Sequence, residues 1–410
     1  MLRSVCTIIF TIAASYAALA QGGSNYSMFG VGDIRRSASA AYDGLGGTQI
    51  AVASPYAVNL LNPAAWSALQ TSRLQIGFRF NQQTISDGST SADQNNGKLD
   101  GFCLAFSVDT SLGAGATFGL RPFSSVNYSL ATHFSDSLLG KRIEGSVEST
   151  GNGGLTSVFL GGAIRPFEGL RIGAAVEGLF GTIISTVRTT IFDANAYTSL
   201  NQRNDGFKGI GGRFGLMYSP MTNFTVGISA SAYSDININS QTRFSTVSSN
   251  EITGDTLFGS ETQTQLPASL GIGLSYISGK FLFAADAEAQ DFSVMTYRKG
   301  RADFKRMTRF SAGVSRLAEH SPGSSFENRI GFNFGIGYQQ LYYSVFEKEV
   351  DEIYGSFGMQ LPISQSAMFD VALTGGSRGS AANGAVREMF LRFGFSASIG
   401  EIWFQPFVRE

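Results

Sequence analysis

From about residue 72 onward, apolar side chains recur at every second position. Leu74, Ile76, Phe78 and Phe80 alternate with Arg73, Gln75, Gly77 and Arg79. Leu170, Ile172, Ala174 and Val176 alternate with Arg171, Gly173, Ala175 and Glu177. Phe281, Phe283, Ala285 and Ala287 alternate with Leu282, Ala284, Asp286 and Glu288; Ile330, Phe332, Phe334 and Ile336 with Arg329, Gly331, Asn333 and Gly335; Met389, Leu391, Phe393 and Phe395 with Glu388, Phe390, Arg392 and Gly394. Successive side chains of a strand point to opposite faces, so each run has one apolar face and one small or charged face. A soluble β-sandwich shares this rhythm, but its strands run to roughly 5–6 residues, and many of these runs are longer. Lipid offers no partner to an open sheet edge, so such strands can cross a membrane only as a closed cylinder.

The connections set the strand count. Tight turns are expected at 109–111, 166–169, 219–222, 278–279 and 362–364, with a longer one over 317–326. Polar links are expected around 85–98, 135–153, 191–205, 247–261, 298–301, 346–349 and 379–383. Outer-membrane barrels have short periplasmic turns and long outer loops, so the two kinds must alternate. The strand-like run 141–150 would break that alternation as a separate crossing and is assigned to an outer excursion. The remaining strands are 72–84, 99–109, 112–134, 154–166, 169–190, 206–219, 222–246, 262–278, 280–297, 302–316, 327–345, 350–361, 366–378 and 384–402, about fourteen in all, an even number as bacterial barrels have. The fold class is all-β: a transmembrane antiparallel β-barrel occupying 72–410.

Residues 21–71 lack the alternation. They hold a glycine-rich turn, Gly44-Leu45-Gly46-Gly47, and short helix-compatible pieces at 37–42 and 63–69. Pro63 suits a first helical turn capped by Asn62. A compact, mildly apolar segment ahead of such a barrel reads as a small, partly helical hatch inside it. Residues 1–20 carry Arg3, an uncharged apolar stretch and Ala18-Leu19-Ala20, the pattern of a secretory signal peptide.

Composition supports this reading. The chain has 50 Gly, 34 Phe and 14 Tyr against 9 Pro and 2 Trp, and a formal charge of −1. Near-neutral charge gives no footprint for nucleic acid. Cys6 falls in the leader, so Cys103 is the only mature cysteine and no internal disulfide can form. His133 and His320 have no metal-ligand spacing, and no Ser/His/Asp order suggests an enzyme. Asp87–Asp93 lacks the order of a calcium loop. No cofactor, metal or catalytic residue is expected.

Four segments in order carry a family resemblance. Asn62-Pro63-Ala64, inside VNLLNPAAWSAL at 58–69, resembles the hatch signature of the FadL/TodX family of outer-membrane transporters for hydrophobic compounds. YSMFGVGD at 26–33, followed by GLGGTQI at 44–50, resembles the branch found in Bacteroidetes-type bacteria. LPASLGIGLSY at 266–276 and RFGFSASIGEIWF at 392–404 resemble an inner strand and the closing strand. The resemblance implies a plugged fourteen-stranded barrel in the outer membrane of a Gram-negative bacterium. It also implies passive uptake of long-chain fatty acids or aromatic hydrocarbons, with lateral release where the third strand kinks. That strand holds Gly119, Pro122 and Phe123. Proline removes a ladder donor, so Pro122 marks either such an opening or a break at the membrane rim.

The charges expected to point inward are Arg73, Arg79, Arg171, Glu177, Arg213, Asp286, Glu288, Arg309, Arg329, Glu388 and Arg392. Buried charges need partners, and both signs are present, so a network that clamps the hatch is expected. The expected partners are outer-membrane lipid, a hydrophobic ligand and, during insertion, barrel-assembly machinery; a monomer is expected. The alternative function is a non-transporting barrel, a docking or shuttle component of a secretion or surface-assembly system. A continuous apolar pocket below the outer loops favours transport; a filled lumen with no gap near Pro122 favours docking.

Overall fold

Strands whose alternate residues are apolar pair edge to edge until the sheet meets itself, and the chain does this. A computed structural model describes residues 23–36, 39–138, 141–192, 197–248, 251–319, 323–345, 348–364, 366–381 and 385–402. The expected leader, His320 and the terminal Trp403-Phe404 lie outside the described residues.

Fourteen antiparallel crossings close into a barrel. The first six are Ser72–Ser86, Ser91–Asp109, a third in two pieces (Ala114–Pro122 and Ser124–Leu138), Lys141–Phe167, Leu170–Ile191 and Thr198–Met221. The seventh and eighth are also divided, into Phe224–Tyr233 with Ile236–Ser248 and Glu251–Thr264 with Ser269–Ser278. The rest are Phe281–Asp291, Arg306–Arg316, Gly331–Val345, Lys348–Pro362, Ala367–Gly379 and Arg387–Glu401. The fourteenth pairs with the first from Arg387↔Ser86 to Glu401↔Ser72, so the barrel wall closes on itself. No helix among the described residues is long and apolar enough to cross a membrane; the strands do the crossing.

The expected facing holds along these strands. Leu74, Ile76, Val176, Phe214, Phe334 and Ile336 are exposed on the outer wall, whereas Arg73, Gln75, Glu177, Arg213 and Asn333 are buried inside.

The outer side differs from expectation. The polar runs 91–98, 198–205 and 251–261 are strands, not loops, and 141–150 is the outer half of the fourth crossing, paired with the third and fifth. Beyond the lipid both faces of a hairpin meet water, so the apolar period disappears from the sequence while the backbone ladder continues. The ninth crossing stops at Asp291 instead of 297; Phe292–Val294 is a 3-10 turn that starts the return link.

The hatch has little regular structure of its own: 3-10 turns at Asn25–Met28 and Pro63–Ala68, a helix at Ala40–Asp43 and a two-residue strand at Asp33–Ile34. Its core is shared with the wall. Val58, Leu60, Trp66 and Leu69 pack with Cys103, Ala105, Phe159, Ala163 and Ala175, and Trp66 stacks on Phe159 at 6.0 Å between ring centroids.

Candidate functional site

A segment with so little regular secondary structure must satisfy much of its backbone elsewhere, since buried N–H and C=O groups are rarely left unpaired. The inner wall supplies the partners. Asp286 Oδ2 accepts from Gln49 N (2.7 Å) and Ile50 N (2.9 Å). Glu388 accepts from Asn25 N (2.7 Å) and Ser24 Oγ (2.7 Å). Arg73 donates to Pro55 O (2.8 Å), Arg309 to Gly46 O (2.9 Å) and Arg213 to Leu60 O. Gln75 accepts from Val58 N (2.8 Å), and Asn333 donates to Ala41 O (3.0 Å).

Ion pairs tie the same surfaces. Arg79 bridges hatch Asp43 (2.5 Å) and wall Asp100 (2.7 Å). Hatch Arg36 meets Glu288 (3.0 Å), which also pairs with Arg309 (3.3 Å). Glu177, 1% exposed, takes Arg121 (3.1 Å) and Arg213 (3.0 Å) and accepts from Tyr233 Oη (2.5 Å). Arg378 joins hatch Asp33 (2.8 Å) to Glu352 (2.5 Å), and Arg392 reaches Glu352 (3.0 Å).

Nine of the eleven sequence-expected charges thus meet in the lumen. Arg171 and Arg329 do not. Arg171 is half-buried at the periplasmic rim, the second residue of its strand, and Arg329 ends the 3-10 turn Phe326–Arg329 before its strand begins. Neither has an ion pair among the described residues. Arg36, Asp43, Asp100, Arg121, Glu352 and Arg378 were missed. Glu352 was readable by parity with Val350 and Tyr354, both buried; Arg378 ends the expected strand 366–378 and shares parity with the buried Asp370 and Thr374.

The NPA segment is the tightest point of the hatch. Asn62 is fully buried. Its Oδ1 accepts from Ala64 N (3.0 Å), capping the 3-10 turn, and its Nδ2 donates to Ile50 O (2.6 Å) and, at 3.3 Å each, to wall carbonyls Leu216 O and Ile228 O. Pro63 and Ala64 lie directly on Gly173 and Gly215: a Cβ on Gly173 would stand 2.5 Å from Pro63 C, and one on Gly215 2.8 Å from Pro63 Cδ.

Above the hatch the lumen is packed. The link after the ninth crossing folds inward, placing Phe292 and Met295, both 0% exposed, with Tyr297, Phe304, Tyr342 and Tyr343 against hatch residues Tyr26 and Val31. Phe292 stacks on Tyr342 at 4.2 Å, and Tyr342 Oη donates to Gly32 O (2.7 Å). A polar cavity of about 80 Å³ lies among Asp43, Arg79, Arg309, Glu352, Arg378 and Arg392. This inward link fills the outer lumen above the hatch among the described residues.

Among the described residues the wall ladder is interrupted between the second and third crossings. The second and third crossings are laddered from Asp109↔Ala114 to Phe102↔Leu120 and no further. Beyond Pro122, the outer piece Ser124–Leu138 pairs with the fourth crossing, while Ser91–Gly101 has no ladder to it among the described residues. The hatch fills the foot of this seam: Asp33 and Ile34 pair with Ser125 and Ser124, and Arg35 N donates to Phe123 O (2.8 Å). Higher up, Lys98 Nζ donates to Ser125 Oγ (2.8 Å) and Gln94 Nε2 to Ser129 O (2.8 Å). Pro122 and Phe123 stand at the break; Gly119 does not, being paired with Cys103. Leu99, Phe118 and Leu120 are exposed apolar residues just below the seam, and Asp93 and Asn95 above it are polar, so the seam begins at the outer border of the apolar band.

The chain matches the family model BamG over residues 1–407. It belongs to the BamG family. The BamG-family barrel shares its fold with CymD, a monoaromatic hydrocarbon channel (16% identity, TM-score 0.56, 92% of this chain and 100% of that one). It is similar also to the toluene transporter TbuX of Ralstonia pickettii (14%, 0.60, 88% and 98%) and to a FadL homologue of Pseudomonas aeruginosa (11%, 0.58, 90% and 99%). At these identities the likeness is one of fold alone. No curated protein matches it by sequence.

Outside the lumen, the Asp87 turn of this barrel is self-contained. Its carboxylate accepts the N–H of Thr90 and of Ser89, which hold it below the usual carboxylate range. No cluster of three metal-ligating side chains occurs among the described residues.

Proposed function

We propose that this barrel is a docking component of a secretion or surface-assembly system, working from a sealed lumen. The filled lumen carries this reading. The hatch is hydrogen-bonded to the wall along its length, an aromatic core closes the outer third, and the cavity of about 80 Å³ is lined by charge. At roughly 10–15 Å³ of such space per water, that cavity suits about five to eight waters held by its charged lining. Ligand sites for apolar molecules are larger and mostly apolar, roughly 300–1,000 Å³. The test is uptake of labelled palmitate and toluene by cells with and without the protein. Equal uptake is expected; protein-dependent uptake of either compound overturns the docking reading.

A second reading, passive uptake of hydrophobic compounds with lateral release, is favoured by the interrupted ladder beyond Pro122. The names of the hydrocarbon channel and toluene transporter with which the fold is shared point the same way. In this reading the Asp33–Ile34 strand withdraws from Ser124 and Ser125, and the seam opens toward the outer leaflet. Pro122→Val would then slow protein-dependent uptake while leaving barrel assembly intact; unchanged uptake discards lateral release.

A further inference from the structure

The outer hairpin Ile236–Ser248/Glu251–Thr264 stands above the apolar band, and the link after the ninth crossing meets the foot of its return strand, where Thr296 Oγ1 donates to Gln263 O (3.3 Å). Its first strand is paired on both sides, with the sixth crossing (Asn237↔Lys208 to Val247↔Thr198) and with its own return strand (Ile236↔Thr264 to Ser248↔Glu251). The return strand has no second ladder partner among the described residues. Every residue from Ile252 to Gln263 is exposed.

This edge lies in water, not lipid. On the sixth crossing the outward apolar positions Ile210, Phe214 and Tyr218 give way to Lys208, Asn204 and Gln202, and the next strand presents Asn237, Asn239, Gln241 and Arg243. The 13-residue strand then extends roughly 40 Å at ~3.3 Å per residue. Beyond those polar positions come Phe244, Ile252, Leu257 and Phe258, between 45% and 61% exposed, with Phe244 and Phe258 edge to face at 5.9 Å. A long, flat, partly apolar edge is what proteins normally cover or blunt, because it templates pairing with another chain.

We propose that the strand Glu251–Thr264 is a β-augmentation site that takes an extended, basic segment of a protein partner on the outer side of the membrane. Free N–H and C=O groups would supply the ladder, and the exposed apolar residues would grip alternate side chains. Charge selects the occupant. The strand carries Glu251, Asp255 and Glu261 and no Lys or Arg. Asp255 accepts from Ser245 Oγ (3.2 Å), and its one ion pair among the described residues is a loose, exposed one with Arg243 (3.7 Å); Glu261 accepts from Asn239 Nδ2 (3.4 Å) and has no ion pair among the described residues. A second copy is a poor occupant: antiparallel self-pairing centred on Phe258 sets Asp255 opposite Glu261 twice, and like charges opposed across strands are destabilising. The inference deepens the docking reading by naming the surface and the partner's chemistry.

The test uses the full chain in detergent micelles and three fluorescent dodecapeptides: alternating Val-Lys, alternating Val-Glu, and Val-Lys with every second amide N-methylated. The plain basic peptide is expected to bind at least tenfold tighter than either of the others. Charge reversal by E251K, D255K and E261K together should move that preference to the acidic peptide, with heat-modifiability on gels showing that the barrel stays folded. Equal binding of the methylated and plain basic peptides, or a preference unmoved by charge reversal, overturns the proposal. If uptake proves protein-dependent but the edge still selects the basic strand, the docking role of the whole protein fails and the edge site stands.

Discussion

Substituting Gly215 by alanine separates the stability of the hatch from that of the wall. The added Cβ would stand 2.8 Å from Pro63 Cδ and 2.9 Å from Ala64 N, and closer still to Asn62 Oδ1, where ordinary contact begins at 3.4 Å. The obstacles on the hatch side include backbone, so the NPA turn must withdraw by about half an ångström or more, an overpacking cost of ~1–3 kcal/mol. Withdrawal also stretches the bonds from Asn62 Nδ2 to Leu216 O and Ile228 O, already 3.3 Å, each worth ~0.5–1.5 kcal/mol net. Together these disfavour the docked hatch by roughly 2–4 kcal/mol, on the order of a hundredfold in the undocked population. The wall feels the opposite sign. Gly215 has no left-handed backbone, so alanine there restricts the unfolded chain and stabilises the strand by ~0.4–1 kcal/mol. Hydrogen exchange on the purified protein should therefore show amides of 58–69 exchanging about a hundredfold faster while 211–221 and the heat-modifiability midpoint hold. Gly259→Ala is the control, since nothing lies within 4 Å of its Cβ. Exchange of 58–69 within twofold of wild type in the folded Gly215→Ala variant would refute the claim that the wall glycine seats the hatch.

Other expectations rest on the same contacts. Glu177→Gln leaves Arg121 and Arg213 without their carboxylate; breaking a buried pair costs ~3–5 kcal/mol, read as a lower heat-modifiability midpoint. Asp286→Ala removes the acceptor for Gln49 N and Ile50 N, so exchange at 47–51 should rise while strand pairing holds, at ~1.5–3 kcal/mol for each charge-assisted bond. Lys98→Met removes the link to Ser125 Oγ; a cysteine placed at Ser125 should then react several-fold faster with a maleimide than in the Lys98 background, with Cys103, buried in the hatch core, as the unreactive internal reference.

The wall was readable from sequence because each membrane-crossing strand has two solvents: Leu74 and Ile76 meet lipid, Arg73 and Gln75 meet the hatch, and parity records the difference. Where both faces meet water the record is lost, so 198–205 and 251–261 looked like loops although both are laddered. Parity also misleads at strand ends. Arg329 keeps the rhythm of Asn333 but precedes the first paired residue, Gly331, and Arg171 keeps that of Glu177 but lies at the rim. The Asp33–Ile34 strand could not be read at all, since two residues carry no period and its partner, Ser124–Ser125, is distant in sequence.

The inward glycines and inward charges have one cause. A hatch with little secondary structure brings bare backbone against the wall, and that backbone needs both closeness and partners. Closeness requires that the wall present no Cβ, as at Gly173 and Gly215 beneath Pro63 and at Gly335, where a Cβ would stand 2.6 Å from Gly46 Cα. Partners come from the neighbouring inward positions: Arg213 for Leu60 O, Asp286 for Gln49 N and Ile50 N, Arg309 for Gly46 O. An open, water-filled lumen would need neither, because water can satisfy any polar group at any distance from the wall. The inward glycines and charges are therefore the residues that seat the hatch against the wall. On the docking reading, the surface offered to a partner is the outer sheet, whose last strand, Glu251–Thr264, has no second ladder partner among the described residues.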